Sequence, residues 1–288
     1  MNAPEEIAPP RPPTYTRGRP GLAGELRTGI VYVMRSLQTS LAYTSAYAWD
    51  VVAALMAFMS VILVWVHVSG QGGLPATLER RGLFAYLTLV YCLNFGIGTW
   101  LEFLLGRRVR TGLIATDLLK PIDFQWMQFC GYLGEVLPQC LIGGLILILG
   151  MAVLPLAPFS GIGAQPVACL VSVALAVALQ FAICYCFSLV SFVTHFSYGA
   201  FALRTALHFM FSGMMGPLAL FQPGFRDWAA ALPFAHILHT PAALMLGWIK
   251  GGDAWILIAQ QAAWTAGLLL AGRMLLAFLV RRLVIQGG

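Results

Sequence analysis

The sequence predicts an all-α membrane protein with six transmembrane helices, an N-terminal amphipathic interfacial helix, a short cytosolic helix between spans 2 and 3, and an external re-entrant segment before span 6. Three observations carry that expectation. Hydrophobic residues fill 59% of the 288 positions and charged residues only 10%, with a mean hydropathy of +0.81, which is more apolar surface than a soluble core can hide. The charges lie in short islands between apolar runs, and the runs reach the roughly 20 residues that a helix needs to cross hydrocarbon. Finally, Lys and Arg are sorted to alternate islands, as the positive-inside rule requires.

Taken in order, residues 1–21 are Pro-rich (Pro9, Pro10, Pro12, Pro13, Pro20) and lack the charged start, apolar centre and small-residue cleavage site of a signal peptide. They read as a disordered cytosolic tail ahead of a single transmembrane domain over 22–288. From Leu22 to Leu41 the apolar residues Leu26, Ile30, Val33, Met34 and Leu37 recur at helical spacing, with Glu25, Arg27, Arg35 and Gln38 mostly opposite. This helix is expected on the membrane surface. The first span is expected over 51–68 and the second over 83–105. The run 124–156 is too long for one straight crossing. Glu135 followed by Pro138 resembles a helix start, so 124–135 is expected to lie flat and the third span to cover 136–156. The fourth, fifth and sixth spans are expected over 167–193, 201–221 and 255–280. Residues 222–252, broken by Pro223, Pro233 and Pro241, read as two short helical pieces dipping into the bilayer edge; the alternative is one tilted extra span over 233–249.

With six spans, thirteen Lys or Arg fall on one side against Arg80, Arg81, Arg226 and Lys250 on the other, so both termini and the island 106–123 are expected in the cytosol. The net charge of +6 reflects this bias rather than a nucleic-acid surface. Cys92, Cys130, Cys140, Cys169, Cys184 and Cys186 fall in or beside apolar runs without the spacing of a metal or disulfide framework. No G-x-x-x-x-G-K-[ST], H-E-x-x-H or G-x-S-x-G occurs, so the chain is not read as an enzyme and any ATP must be hydrolysed elsewhere.

Few polar residues lie within the spans. Asp50 reads as a cap on the first. Glu102 could pair with nearby Arg107 and Arg108 or act as a gate contact, and Arg204 could snorkel to headgroups or meet Glu102 across a helix gap. Asn94 and Gln180 suit helix-to-helix hydrogen bonds or a substrate path. His208, Phe209, Met210, Phe211, Met214 and Met215 form either an adaptable wall for hydrophobic cargo or ordinary packing. A substrate path is therefore drawn through Asn94, Glu102, Arg204, Phe211, Met214 and Met215. The island from Arg107, Arg108 and Arg110 through Gly112 to Lys120, Pro121 and Asp123 sets Leu113, Ile114, Leu118 and Leu119 among charges. Apolar residues so placed suit a docked partner or lipid headgroups.

Three passages resemble the ABC-2 type permeases, and within them an uncharacterised-exporter branch related to viologen and multidrug export systems. These are Arg110-Thr111-Gly112 followed by Leu118-Leu119-Lys120-Pro121-Ile122-Asp123; Leu232-Pro233-Phe234 with Pro241 and Gly247; and the closing Arg281 to Gly288. The resemblance implies a permease subunit moving hydrophobic or cationic small molecules out of the cytoplasm by alternating access. The island helix would be the coupling helix seated in an ABC ATPase subunit, which holds the ATP and Mg. It further implies a second permease as homo- or heterodimer, the heterodimer favoured, and a pathway along the second and fifth spans. The expected location is the bacterial cytoplasmic (inner) membrane, multi-pass and in contact with lipid. A secondary transporter or channel subunit acting without an ATPase is the alternative, and it requires unwound mid-span helices with charge at the midplane.

Overall fold

The computed structural model describes residues 21–42, 44–71, 79–194 and 197–281. Residues 1–20 of the expected tail over 1–21 and the closing residues 282–288 lie outside them. Among the described residues the chain is all helical: α1 (Leu22–Ala42), α2 (Thr44–Gly70), α3 (Arg80–Gly96), α4 (Leu101–Arg110), α5 (Leu113–Leu118), α6 (Phe124–Val153), α7 (Ser160–Ala164), α8 (Pro166–Ser188), α9 (Ser191–Thr194), α10 (Tyr198–Phe211), α11 (Pro223–Ala231), α12 (Ala235–Met245) and α13 (Gly252–Val280), with a 3-10 turn at Leu218–Leu220. Five stretches are long and apolar enough to cross a membrane: Ala48–Gly70, Arg80–Arg110, Phe124–Val153, Pro166–Thr194 and Gly252–Val280.

Three sequence expectations change. The run from Phe124 is one unbroken 30-residue helix, about 45 Å long, so 124–135 does not lie flat ahead of a separate third span. Pro138 costs the helix one backbone bond, and packing by α1 and α3 along α6 keeps it continuous through that point. At Gly134 an added Cβ would sit 2.5 Å from the Val33 carbonyl oxygen. The amphipathic helix α1 is thus held against α6 backbone to backbone, while Leu26, Ile30 and Met34 stay exposed.

The second span is interrupted. Helix α3 stops at Gly96, residues 97–100 are not helical, and α4 begins at Leu101. The fifth span does not form as a long helix: α10 has 14 residues, about 21 Å, and the chain turns away after Phe211 through Gly213 at φ 84°, a conformation that favours glycine. The 222–252 segment does form two helical pieces, α11 and α12. Helix α12 is almost wholly buried against α8 and α3, and its 11 residues are too short for the alternative extra span.

Packing draws α6 between α1 and α3, and α8 between α12 and α13. At Gly143 an added Cβ would collide with the Cys92 carbonyl oxygen. Small residues that let helix backbones approach are how helices associate where lipid is as apolar as the side chains. Asp123 marks one end of α6, where its carboxylate accepts from the Trp126 amide at 3.0 Å and pairs with Arg273. At the other end the Ala157 amide donates to the Arg81 carbonyl at 3.1 Å. Arg81 and Arg273 therefore sit at opposite ends of the longest described helix.

Candidate functional site

Two places bring the sequence's chemistry-bearing residues together. The first is the island. Helix α4 ends at Arg110, and Gly112 at φ 72° reverses the chain into α5. Asp117 turns inward, 2% exposed, and its carboxylate accepts from Arg108 and, at 2.6 Å, from Lys120. Burial alone would raise the Asp117 carboxyl, but the hydrogen bonds and charges of Lys120 and Arg108 outweigh it and hold it below its ordinary value. Burial would likewise lower Lys120, and its bond to Asp117 raises it instead. The Lys120 ammonium also lies 5.6 Å from the centre of the Tyr32 ring, tying α1 to the end of α5.

The four apolar island residues divide. Ile114 is buried at 2% and Leu118 packs partly buried beside it, with Leu101, Leu105 and Phe124 among the surrounding core. Leu113 and Leu119 are 54% and 76% exposed. The four therefore do not form one exposed apolar face: the inner pair anchors the short helix, as period-3.6 geometry requires of residues four apart. Arg107 and Arg110 instead face a cavity of about 490 Å³ shared with Asp50, Trp100, Glu135 and Gln139. Pro121 is exposed where the chain passes into α6.

The second place is the break between α3 and α4. Carbonyls freed by the missing turn are taken up by α6: the Tyr132 hydroxyl donates to the Ile97 carbonyl at 2.8 Å, and the Cys140 thiol points at the Gly96 carbonyl at 3.7 Å. Non-helical backbone at membrane depth is tolerated only when buried in protein in this way. Just beyond the break, Glu102 pairs with Arg204 of α10. Glu102 is fully buried and the Arg204 side chain 8% exposed, so the across-gap pairing holds rather than a pair with Arg107 or Arg108. The Arg204 guanidinium also lies 5.3 Å from the Phe201 ring centre.

Above this pair lies a cavity of about 300 Å³ whose walls include Asn94, Thr99, Trp100, Gln139, Gln180, Arg204, His208, Phe209 and Met214. His208 Nε2 and Asn94 Oδ1 are 3.0 Å apart. Of the six residues expected to form a path, Asn94, Arg204 and Met214 line this cavity and Glu102 supports it through Arg204. Phe211 does not: it is core, stacked on Phe225 at 5.7 Å. Met215 does not either: it is exposed, and its carbonyl accepts from the Trp65 indole at 2.9 Å. The turn after Phe211 ends the helical stripe that would have aligned them. Gln139, His208, Thr99 and Trp100 were not singled out as a group by the sequence, and their only signal was polarity inside apolar runs.

Among the described residues no cluster of His, Cys, Asp and Glu could hold a metal ion. A family model described as ABC-2 family transporter protein matches residues 51–287, well over half of the chain. No curated protein and no solved structure matches it. Both candidate places lie within the matched stretch, and members of this family are membrane subunits that work beside an ABC ATPase. This chain is a multi-pass membrane protein, and it belongs to the ABC-2 family of transporter proteins.

Proposed function

We propose that the chain is the permease half of an ATP-driven exporter in which α5 is the coupling helix. The observation that carries this is the split of the island: Ile114, Leu118 and the paired Asp117 fasten α5 to the body of the protein, while Leu113 is offered outward. A short helix anchored on one face and apolar on the other suits a groove on a partner and transmits that partner's motion to α4 and α6. ATP and Mg would sit on the ATPase subunit. A second permease, a different chain in the favoured arrangement, would complete the path, with both termini in the cytosol of a bacterium. Cargo combining an apolar body with a polar head suits a cavity that mixes Trp100, Phe209 and Met214 with amides.

The test is co-purification with candidate ABC ATPase subunits and measurement of ATP hydrolysis, wild type against Leu113→Asp plus Leu119→Asp. Association lost in the variant, with the permease still folded, is the expected result. A secondary transporter is the second reading, favoured by the interrupted second span beside a buried Glu102–Arg204 pair. It gains if no ATPase associates with the wild type and uptake into vesicles follows an ion gradient instead.

A further inference from the structure

The cavity at the α3/α4 break holds polar atoms that the protein itself leaves unused. Among the described residues Gln139 Oε1, Gln180 Oε1 and His208 Nδ1 have no hydrogen-bond partner, and the three residues are 8%, 5% and 7% exposed. All three residues line the cavity. With Asn94 Oδ1 accepting from His208 Nε2, the neutral ring presents Nδ1 as an acceptor, so all three unused atoms accept. Buried polar groups are nearly always paired, and one left open marks a place where something else supplies the partner.

Charge, by contrast, is already balanced there. Arg204 is neutralised by Glu102. The adjoining larger cavity, which shares Asp50, Trp100 and Gln139 with this one, is lined by Asp50 and Glu135 together with Arg107 and Arg110. Among the described residues the two cavities thus carry three acids and three bases, counting Glu102. An ion brought into a low-dielectric site needs a counter-charge, and the acids and bases of the two walls cancel in number. A neutral head with O–H or N–H groups needs only acceptors, while Trp100 and Phe209 offer apolar surface to the rest of the molecule.

We propose that this cavity binds the uncharged, hydrogen-bond-donating head, hydroxyl or amide, of an amphiphilic small molecule. This deepens the transport reading by naming the chemistry of the cargo's head, and binding can be measured with the permease alone. The protein is reconstituted without ATPase in phosphatidylcholine nanodiscs and titrated with three probes of equal chain length: octyl glucoside, octylammonium and octanoate. The readout is the shift of the thermal unfolding midpoint. Octyl glucoside is expected to raise it saturably and to bind at least tenfold more tightly than either ion. Gln139→Leu plus Gln180→Leu should weaken glucoside binding about tenfold or more. If that variant does not fold, the near-isosteric Gln180→Glu should instead improve octylammonium binding about tenfold by adding the missing counter-charge. Equal or tighter binding of either ion by the wild type overturns the proposal, as does unchanged glucoside binding by the double Leu variant. Neither result touches the ATPase-docking test, which is read without cargo.

Discussion

The island around α5 and the cavity at the α3/α4 break use similar residues in opposite ways. In the island the Asp117 carboxylate is saturated by Arg108 and Lys120 and an apolar side chain, Leu113, is left open. In the cavity, polar atoms of Gln139, Gln180 and His208 are left open beside the exposed rings of Trp100 and Phe209. What each region leaves unsatisfied is the basis of the two proposals: an apolar surface to meet in one case, a hydrogen-bonding head in the other. The difference follows from the surroundings. Exposed apolar surface at a water boundary is relieved by a docked protein, whereas an unpaired polar atom in a dry interior is relieved only by a donor or acceptor.

Substitutions that break one region should leave the other intact, and the largest effect is expected at the buried ion pair. Glu102→Gln leaves Arg204 charged and uncompensated, a loss of about 3–5 kcal/mol, whereas Glu102→Gln with Arg204→Met should recover most of it. Thermal unfolding of the two single variants and the double variant in nanodiscs measures the coupling, and additive losses would show that the pair is not coupled. Next is Gly143→Ala. Its Cβ would collide with the Cys92 carbonyl and force α3 from α6 beside the cavity, at about 1–3 kcal/mol. Octyl glucoside binding should fall with it while ATPase association persists.

A smaller effect is expected from Asp117→Asn, about 1–2 kcal/mol, because Arg108 and Lys120 are more than a third exposed and water can take them up. Here ATPase association should fall and glucoside binding should not. The folded Asp117 carboxyl is held below its ordinary value, itself about 4. Its pairing therefore contributes stability throughout the range above that value and is lost only as pH falls through the lowered folded value. Lys120 is held upward and keeps its charge over the same range. Association of the wild type should accordingly be unchanged between pH 8 and pH 5, and a decline across that interval would show that Asp117 does not anchor α5. Smallest of all is Leu113→Ala, expected to change stability by no more than about 0.5 kcal/mol while weakening ATPase association. A stability loss as large as that of Asp117→Asn would mean that Leu113 packs inward.

Much of this was legible in residues close together in the chain. The island's Gly112, its flanking basic residues and its apolar positions lie within a single stretch, and spacing alone could have separated Ile114 and Leu118 from Leu113. The Pro-broken segment before α13 was read as two helical pieces, and two formed. The cavity was only partly legible. Asn94, Arg204 and Met214 were singled out, but Phe211 and Met215 were added by extending a helical stripe through Gly213, where the helix had already ended. Pro138 misled in the other direction, because a proline inside a helix supported on two sides removes one hydrogen bond without ending the helix.

Sequence alone determined that this chain lives in a membrane, that it is built of helices, and that its basic residues gather in islands at the ends of the apolar runs. Those properties are sums over neighbouring residues, and solvent transfer energies read them directly. Only the tertiary structure decided that the second span is broken, that Glu102 meets Arg204 from 102 positions away, and that Asn94, Gln139, Gln180 and His208 share one cavity. A missing helical turn is stabilised by Tyr132, 35 positions on, which donates to a carbonyl it frees. Such pairings depend on which helices pack together, and nothing in the local pattern of any single helix encodes that.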